Sequence, residues 1–153
     1  MSAAEVHFYH LTRTSLEGAA PLLLEKCLER GWRVTVRLGA PERVAALDRH
    51  LWIYRDESFL PHGAPGAPSP ERQPIWLTSG SETPNDPQAL MLADGAEATP
   101  EEMSKLDRTM LLFDGRDEAA VAAARDFWRR AKAAGLGATY WAEGDRGGWT
   151  KKG

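Results

Sequence analysis

Hydrophobic residues in the first third of the chain occur in two kinds of segment. Short runs of bulky and aromatic residues predict strands, and longer segments with hydrophobic residues three or four positions apart predict helices. In chain order these are a strand at residues 6–11, a helix at 16–30, a strand at 33–38 and a helix at 41–52. Gly31 follows the first helix as a C-terminal cap, and Pro41 opens the second helix. This order predicts a parallel sheet.

The rest of the chain continues the pattern. Strands are predicted at residues 74–78, 89–92, 110–113 and 138–141, a short helix at 100–107 and a long final helix at 117–134. We therefore expect one three-layer, Rossmann-like α/β domain over residues 1–144, with helices on both faces of a mostly parallel central sheet. Residues 145–153 are rich in glycine and lysine, and we expect them to form a flexible C-terminal tail.

The composition is consistent with one domain and favours some cellular locations and partners over others. Of the 153 residues, 42% are hydrophobic and 27% are charged, and the formal net charge is −3. An acidic balance weighs against a protein that wraps nucleic acid over its whole surface. The single cysteine, Cys27, rules out an intrachain disulfide, and the N-terminus lacks a signal-peptide pattern. We therefore expect a cytoplasmic protein without a membrane segment.

The turn after the first strand argues against a nucleotide-binding enzyme. Residues 11–15, Leu-Thr-Arg-Thr-Ser, contain no glycine, whereas a dinucleotide site needs glycines there so that the backbone can approach a pyrophosphate. The chain also lacks a phosphate loop that ends in Gly-Lys-Ser/Thr and a Gly-x-Ser-x-Gly elbow. We expect no catalytic residue, no cofactor and no metal. A nucleotide-binding enzyme stays open as an alternative, because the fold alone does not exclude it.

Aromatic and hydrophobic residues gather where the second helix runs into a long, proline-rich loop. Trp52 ends the helix, and Phe59, Leu60, Pro61 and His62 follow within the loop. Large hydrophobic side chains in such a loop either fold back over the core or dock on a partner. The residues by themselves favour neither outcome.

The final helix carries a basic stripe beside hydrophobic residues. Arg125, Arg129 and Lys132 recur at helical spacing, with Val121 one turn before Arg125 and Trp128 about one turn after it. Such stripes are most often solvated faces, but a tryptophan beside the arginine favours a site for an acidic peptide with a hydrophobic end. Single-stranded bases could stack on the same residues, so direct binding of single-stranded DNA is a second alternative.

In this order and on this scaffold, these features resemble the chi subunit of bacterial DNA polymerase III over nearly the whole chain. The resemblance is carried by Phe-Tyr-His-Leu at 8–11, Gly-Trp-Arg-Val at 31–34, residues 46–52, Glu-Ser-Phe-Leu-Pro-His at 57–62, and Arg-Asp-Phe-Trp-Arg at 125–129 followed by Ala134-Gly135. It implies a non-catalytic accessory subunit of a DNA-directed DNA polymerase, a nucleotidyltransferase complex, in DNA replication.

The resemblance also implies two partners. One is single-stranded DNA-binding protein, whose acidic C-terminal tail ends in phenylalanine. The other is the psi subunit, which links chi to the clamp loader. The chain would then meet DNA only indirectly and exist as a monomer or a heterodimer. Because psi is small and divergent, the clamp loader itself or a helicase stays open as the second partner.

Site residues follow from the resemblance by position. Arg125 resembles the arginine that holds the tail, and the residues expected around it are Val121, Trp128, Arg129 and Lys132. The group expected to face psi or another second partner is Trp52, Phe59, Leu60, Pro61 and His62.

The chain departs from better-known members of this family in three places. Residues 63–72 form an insertion rich in alanine and proline, Val121 stands where some relatives have a basic residue, and the C-terminal tail extends past the usual end. Because Val121 is not basic, the basic patch is expected to be thinner.

Overall fold

A computed structural model describes residues 4–53, 61–143 and 149–152, and these form a seven-stranded sheet covered by helices. The strands are β1 (Glu5–Leu11), β2 (Val34–Arg37), β3 (Ile75–Thr78), β4 (Ala89–Leu92), β5 (Arg108–Asp114), β6 (Gly137–Glu143) and β7 (Trp149–Lys151). The helices are α1 (Leu16–Glu29), α2 (Pro41–Ile53), α3 (Pro100–Ser104) and α4 (Glu118–Ala133), with a short 3-10 turn at Pro70–Arg72.

The strand order explains how distant segments of the chain meet. It is β3-β2-β4-β5-β1-β6-β7, and every pair of neighbours is parallel except β6 and β7. β1 therefore lies between β5 and β6, with Phe8 opposite Leu111 on one side and Tyr140 on the other. The prediction of a mostly parallel sheet is confirmed.

Each face of the sheet has its own hydrophobic core, as expected for three layers. Leu24 of α1 and Leu47 of α2 are buried in one core with Val36 of β2. On the other face, Phe127 of α4 and Met103 of α3 are buried in a second core that includes Phe8, Leu90 and Ala131. Alternate residues of a strand point to opposite faces, so β1 serves both cores.

Side-chain caps mark the starts of α1 and α4. The hydroxyl oxygen of Ser15 accepts a hydrogen bond from the backbone N–H of Gly18, and α1 follows. At α4, the carboxylate of Asp117 accepts from the N–H groups of Ala119 and Ala120, so Asp117 is the cap and not the first helical residue. These caps satisfy N–H groups that have no partner within the helix.

The C-terminal segment contains a strand that the sequence pattern did not predict. Trp149–Lys151 form β7 and pair with the end of β6. Trp149 packs edge-to-face against Tyr9 with ring centroids 5.2 Å apart, so a tryptophan from the expected tail covers the core on the α1 side. The domain boundary at residue 144 and the flexibility of residues 145–153 stay predictions.

A buried ion pair ties β2 to α3. Arg37 is only 3% exposed, and its two Nη atoms donate to both carboxylate oxygens of Glu102. One of them also donates to the carbonyl oxygen of Ser81 at 2.7 Å. The hydrogen bonds from Arg37 lower the pKa of Glu102, although burial acts in the opposite direction. The guanidinium charge is therefore balanced by one carboxylate.

Removing that carboxylate should destabilise the fold. In Glu102→Ala the Arg37 charge stays buried without its partner, and we expect a loss of about 3 kcal/mol of unfolding free energy in urea denaturation. Glu101→Ala, an exposed neighbour, should change the unfolding free energy by less than about 0.5 kcal/mol. Equal effects of the two substitutions would show that the ion pair does not hold β2 and α3 together.

Candidate functional site

A cleft of about 360 Å³ lies between α4 and the sheet. Its lining residues are His10, Phe113 and Tyr140 from the strands, and Val121, Ala124, Arg125, Trp128 and Arg129 from α4. Four of the five residues that the sequence predicted for one site, all except Lys132, therefore line one cleft.

Helical spacing explains how α4 presents these residues. Val121, Arg125 and Trp128 are four and three positions apart, so they form one stripe along the helix. The stripe borders the buried face that includes Ala124 and Phe127. Val121 and Trp128 are half-buried, whereas Arg125 is exposed. One side of the cleft is thus hydrophobic and its rim is cationic.

The indole of Trp128 is held by other aromatic rings. Its centroid lies 5.2 Å from that of Phe8 and 6.3 Å from that of Tyr140. The ring of Tyr140 lies 6.1 Å from that of Phe113 in turn. Offset and edge-to-face contacts of this kind are favourable beyond simple burial. The tryptophan beside Arg125 therefore belongs to an ordered aromatic floor.

The basic residues of the predicted stripe have no ion-pair partner in the described part of the chain. Among the residues that the structure describes, no carboxylate lies within ion-pair distance of Arg125, Arg129 or Lys132. The neighbouring Arg130, by contrast, bonds to two carboxylates at 3.2 Å each. Lys132 does not line the cleft, but its Nζ lies 5.8 Å from the ring centroid of Trp128. These three positive charges remain available to an anionic ligand.

Sequence reasoning missed the wall that the sheet contributes. His10, Phe113 and Tyr140 lie on β1, β5 and β6, which are adjacent only because of the strand order. His10 is opposite Phe113 in the register of β1 and β5. Its Nδ1 atom lies 2.5 Å from the hydroxyl oxygen of Tyr140. No signal in the sequence joins these positions, since His10 is more than a hundred residues away from both Phe113 and Tyr140.

The second predicted group is placed only in part, because Phe59 and Leu60 lie outside the described residues. Trp52 is 57% exposed and the adjacent Ile53 is 74% exposed, so α2 ends in two partly exposed hydrophobic side chains. Pro61 is half-buried. Of the predicted second surface, the structure describes Trp52, Pro61 and His62, and Ile53 is an exposed neighbour that was not predicted.

His62 is placed differently from the sequence prediction, which grouped it with the partner-facing residues. The residue is only 7% exposed, and its Nε2 lies 2.8 Å from a carboxylate oxygen of Asp48 on α2. Its ring centroid is 4.7 Å from that of Trp52. The ring of His62 therefore packs against the indole of Trp52. Burial and the contact with Asp48 keep the imidazole itself away from solvent.

Comparison with known proteins identifies the family. The family model described as "DNA polymerase III chi subunit, HolC" matches residues 3–139, which is most of the chain. The chain belongs to this family. Its members are accessory subunits of the replicative polymerase, which agrees with the resemblance stated above.

A named relative agrees with this assignment. The chain is 29% identical over 84 residues to "Probable DNA polymerase III subunit chi" of Rickettsia prowazekii (strain Madrid E). The aligned segment covers 55% of this chain and 51% of the relative. The match thus spans about half the length of that protein. In the part of the chi-family chain that the structure describes, no helix has the length and hydrophobicity to cross a membrane.

In this chi-family chain, the loop between β1 and α1 lies where nucleotide-binding proteins of this fold type hold a phosphate. The backbone N–H groups of Thr12, Arg13 and Thr14 all donate to Oε1 of Glu143, at 3.0, 2.9 and 3.0 Å. The hydroxyl of Thr14 donates to the other carboxylate oxygen. In nucleotide-binding relatives of this fold type, donors here face a phosphate. In this chain the carboxylate of Glu143 accepts the hydrogen bonds of these donors.

These hydrogen bonds predict acid sensitivity. Burial alone would raise the pKa of Glu143, but the hydrogen bonds from Thr14, Arg13 and Thr12 outweigh it and lower the pKa to about 2. A carboxylate whose pKa is depressed on folding stabilises the fold above its unfolded pKa, and that contribution is lost as the pH falls. The loss should begin below about pH 4.5 and be complete near pH 2.

Glu143→Gln tests this linkage. We expect the variant to be less stable than the parent at pH 7 and the gap between them to narrow between about pH 4.5 and pH 2, in urea denaturation followed by circular dichroism. Glu29→Gln, an exposed carboxylate on α1, is the matched control and should track the parent at every pH. A gap for Glu143→Gln that stays constant as the pH falls would contradict the linkage.

Proposed function

We propose that this chi-family chain is a non-catalytic adaptor that binds the acidic C-terminal tail of single-stranded DNA-binding protein in the cleft beside α4. A second partner, the psi subunit, would link it to the clamp loader in the cytoplasm. The observation that carries the proposal is an aromatic cleft lined by Arg125 and Arg129, with Lys132 beside its Trp128 ring, three cations without an ion-pair partner among the described residues. These charges stand out because the chain as a whole is acidic.

The two parts of such a tail match the two parts of the cleft. A terminal carboxylate suits Arg125, because a guanidinium can bind both oxygens at once. The terminal phenylalanine suits the space between Val121, Trp128 and Tyr140, where it would add a ring to the aromatic floor. Preceding aspartates would face Arg129 and Lys132, whose main effect is to steer the acidic segment toward the cleft.

Arg125→Ala should weaken the complex with this tail. The substitution removes a charge-assisted contact, so we expect a loss of about 1.5–3 kcal/mol, or roughly a ten- to hundredfold higher Kd. The measurement is calorimetric titration with an N-acetylated peptide of the tail that ends in phenylalanine. Lys132→Ala should cost less, and higher salt should weaken every complex because the charges are exposed.

Arg130→Ala is the matched control, because Arg130 lies on the same helix but its charge is already neutralised by carboxylates. Its Kd should stay within about twofold of the parent value. An unchanged Kd for Arg125→Ala, or equal affinity for a peptide without its phenylalanine, would contradict tail binding in the cleft. Salt-dependent binding of an oligonucleotide that competes with the peptide would favour a direct single-stranded DNA binder instead.

The exposed pair at the end of α2 is the proposed contact with the second partner. Trp52→Ala should raise the Kd for a clamp loader that contains psi about tenfold or more, because a tryptophan at an interface often dominates the binding energy. Surface plasmon resonance against that complex measures the effect. Leu22→Ala, at an exposed leucine of α1, is the control. If the parent, Trp52→Ala and Leu22→Ala have equal Kd values, the second partner does not bind at the end of α2.

A further inference from the structure

His10 is a polar side chain in the part of the cleft wall that the strands form together with Phe113 and Tyr140. Its ring is half-buried and lies 5.0 Å from the ring of Phe113. Its Nδ1 lies 2.5 Å from the hydroxyl oxygen of Tyr140, a residue that lines the same cleft. A polar ring therefore stands in the aromatic wall, directly linked to a residue that would touch the tail.

The position of the imidazole is fixed on its other side by Gly115. A Cβ atom at residue 115 would lie 1.8 Å from Nε2 of His10, so only glycine leaves room for this ring. The backbone of Gly115 is also hydrogen-bonded to β1, since its N–H donates to the carbonyl oxygen of Leu11 at 2.7 Å. His10 is thus held between Gly115 and Tyr140.

The charged groups around His10 come from three elements. Asp114 at the end of β5 interacts electrostatically with His10, and its carboxylate already accepts hydrogen bonds from the N–H and Nε of Arg116. The charge of His10 contributes to the lowered pKa of Asp114, after the larger effect of these hydrogen bonds. On the other side stand Arg125 and Arg129 of α4, and Tyr140 of β6.

We propose that His10 is a specificity-determining residue that makes the affinity of the cleft for an acidic tail depend on pH. The inference rests on the proposed function of the cleft. Imidazole is the side chain that ordinarily changes charge between about pH 5 and pH 8. The charged form would add a third positive group to the cleft and donate its Nδ1–H to Tyr140. The neutral form would add no charge.

Other titrating groups should not produce the same dependence of the Kd on pH. The carboxylates of the tail peptide ordinarily titrate near pH 3–4, well below the relevant range. The chain has three other histidines. His7 points to the opposite face of β1, where Trp141 Nε1 donates to its Nδ1, and His50 and His62 lie on or beside α2. Acidification should therefore act on the cleft through His10.

The test is calorimetric titration of the N-acetylated tail peptide at pH 5.5, 6.5 and 8.0 and constant ionic strength. We expect the Kd of the parent to rise about three- to tenfold from the lowest to the highest pH. His10→Asn can keep a hydrogen bond to Tyr140 without the charge, and its Kd should stay constant. Tyr140→Phe removes the hydroxyl and keeps His10, so it should retain the pH dependence.

Titrations of the parent in two buffers of different ionisation enthalpy give a second readout that needs no variant. Near pH 6.5 the parent should take up a fraction of a proton when it binds the peptide, because binding an anion favours the charged imidazole. The same pH dependence in His10→Asn, or no proton uptake by the parent, would contradict the role of His10 but leave the proposed binding of the tail intact. Failure of the peptide to bind at any pH would overturn the proposed function, and this inference with it.

Discussion

The cleft depends on how α4 packs against β1, and the central contact is Phe8. This residue is fully buried on β1, between β5 and β6, and its ring meets Phe127 edge-to-face at 5.9 Å. The same ring contacts Trp128, which turns the next residue of α4 toward the cleft. Protein interiors pack at nearly crystalline density. One large ring at this point therefore restricts the position of α4 over the sheet and its rotation about its own axis. Arg125, one turn earlier, is thereby placed at the rim.

Some arginines of the described residues are paired with carboxylates, whereas the cations along the cleft are not. Where helices and loops join the sheet, arginines are paired, as Arg37 is with Glu102 and Arg43 is with Asp94 and Glu17. Along the cleft the described cations lack such partners. An unpaired exposed charge costs little in water, but it is free to attract a ligand of opposite charge. An acidic protein can therefore still present a cationic site of limited size.

The loop after β1 shows how a nucleotide-type fold can serve another purpose. Its backbone N–H groups converge as they would on a phosphate, but the carboxylate of Glu143 accepts their hydrogen bonds. The carboxylate also connects this loop to the end of β6, the strand that brings Tyr140 to the cleft. The same strand therefore carries both the partner of this loop, Glu143, and a residue of the cleft wall, Tyr140.

The sequence by itself determined the order of elements, the parallel sheet and the stripe on α4, because helix and strand periodicities and capping residues act over only a few positions. It also marked Arg125, Trp128 and their neighbours as one group, since residues three and four apart share a helix face. Only the tertiary structure decided that His10 and Tyr140 meet, that Trp149 joins the sheet and that His62 is buried. Contacts between strands depend on the order of the whole sheet, which no local spacing encodes.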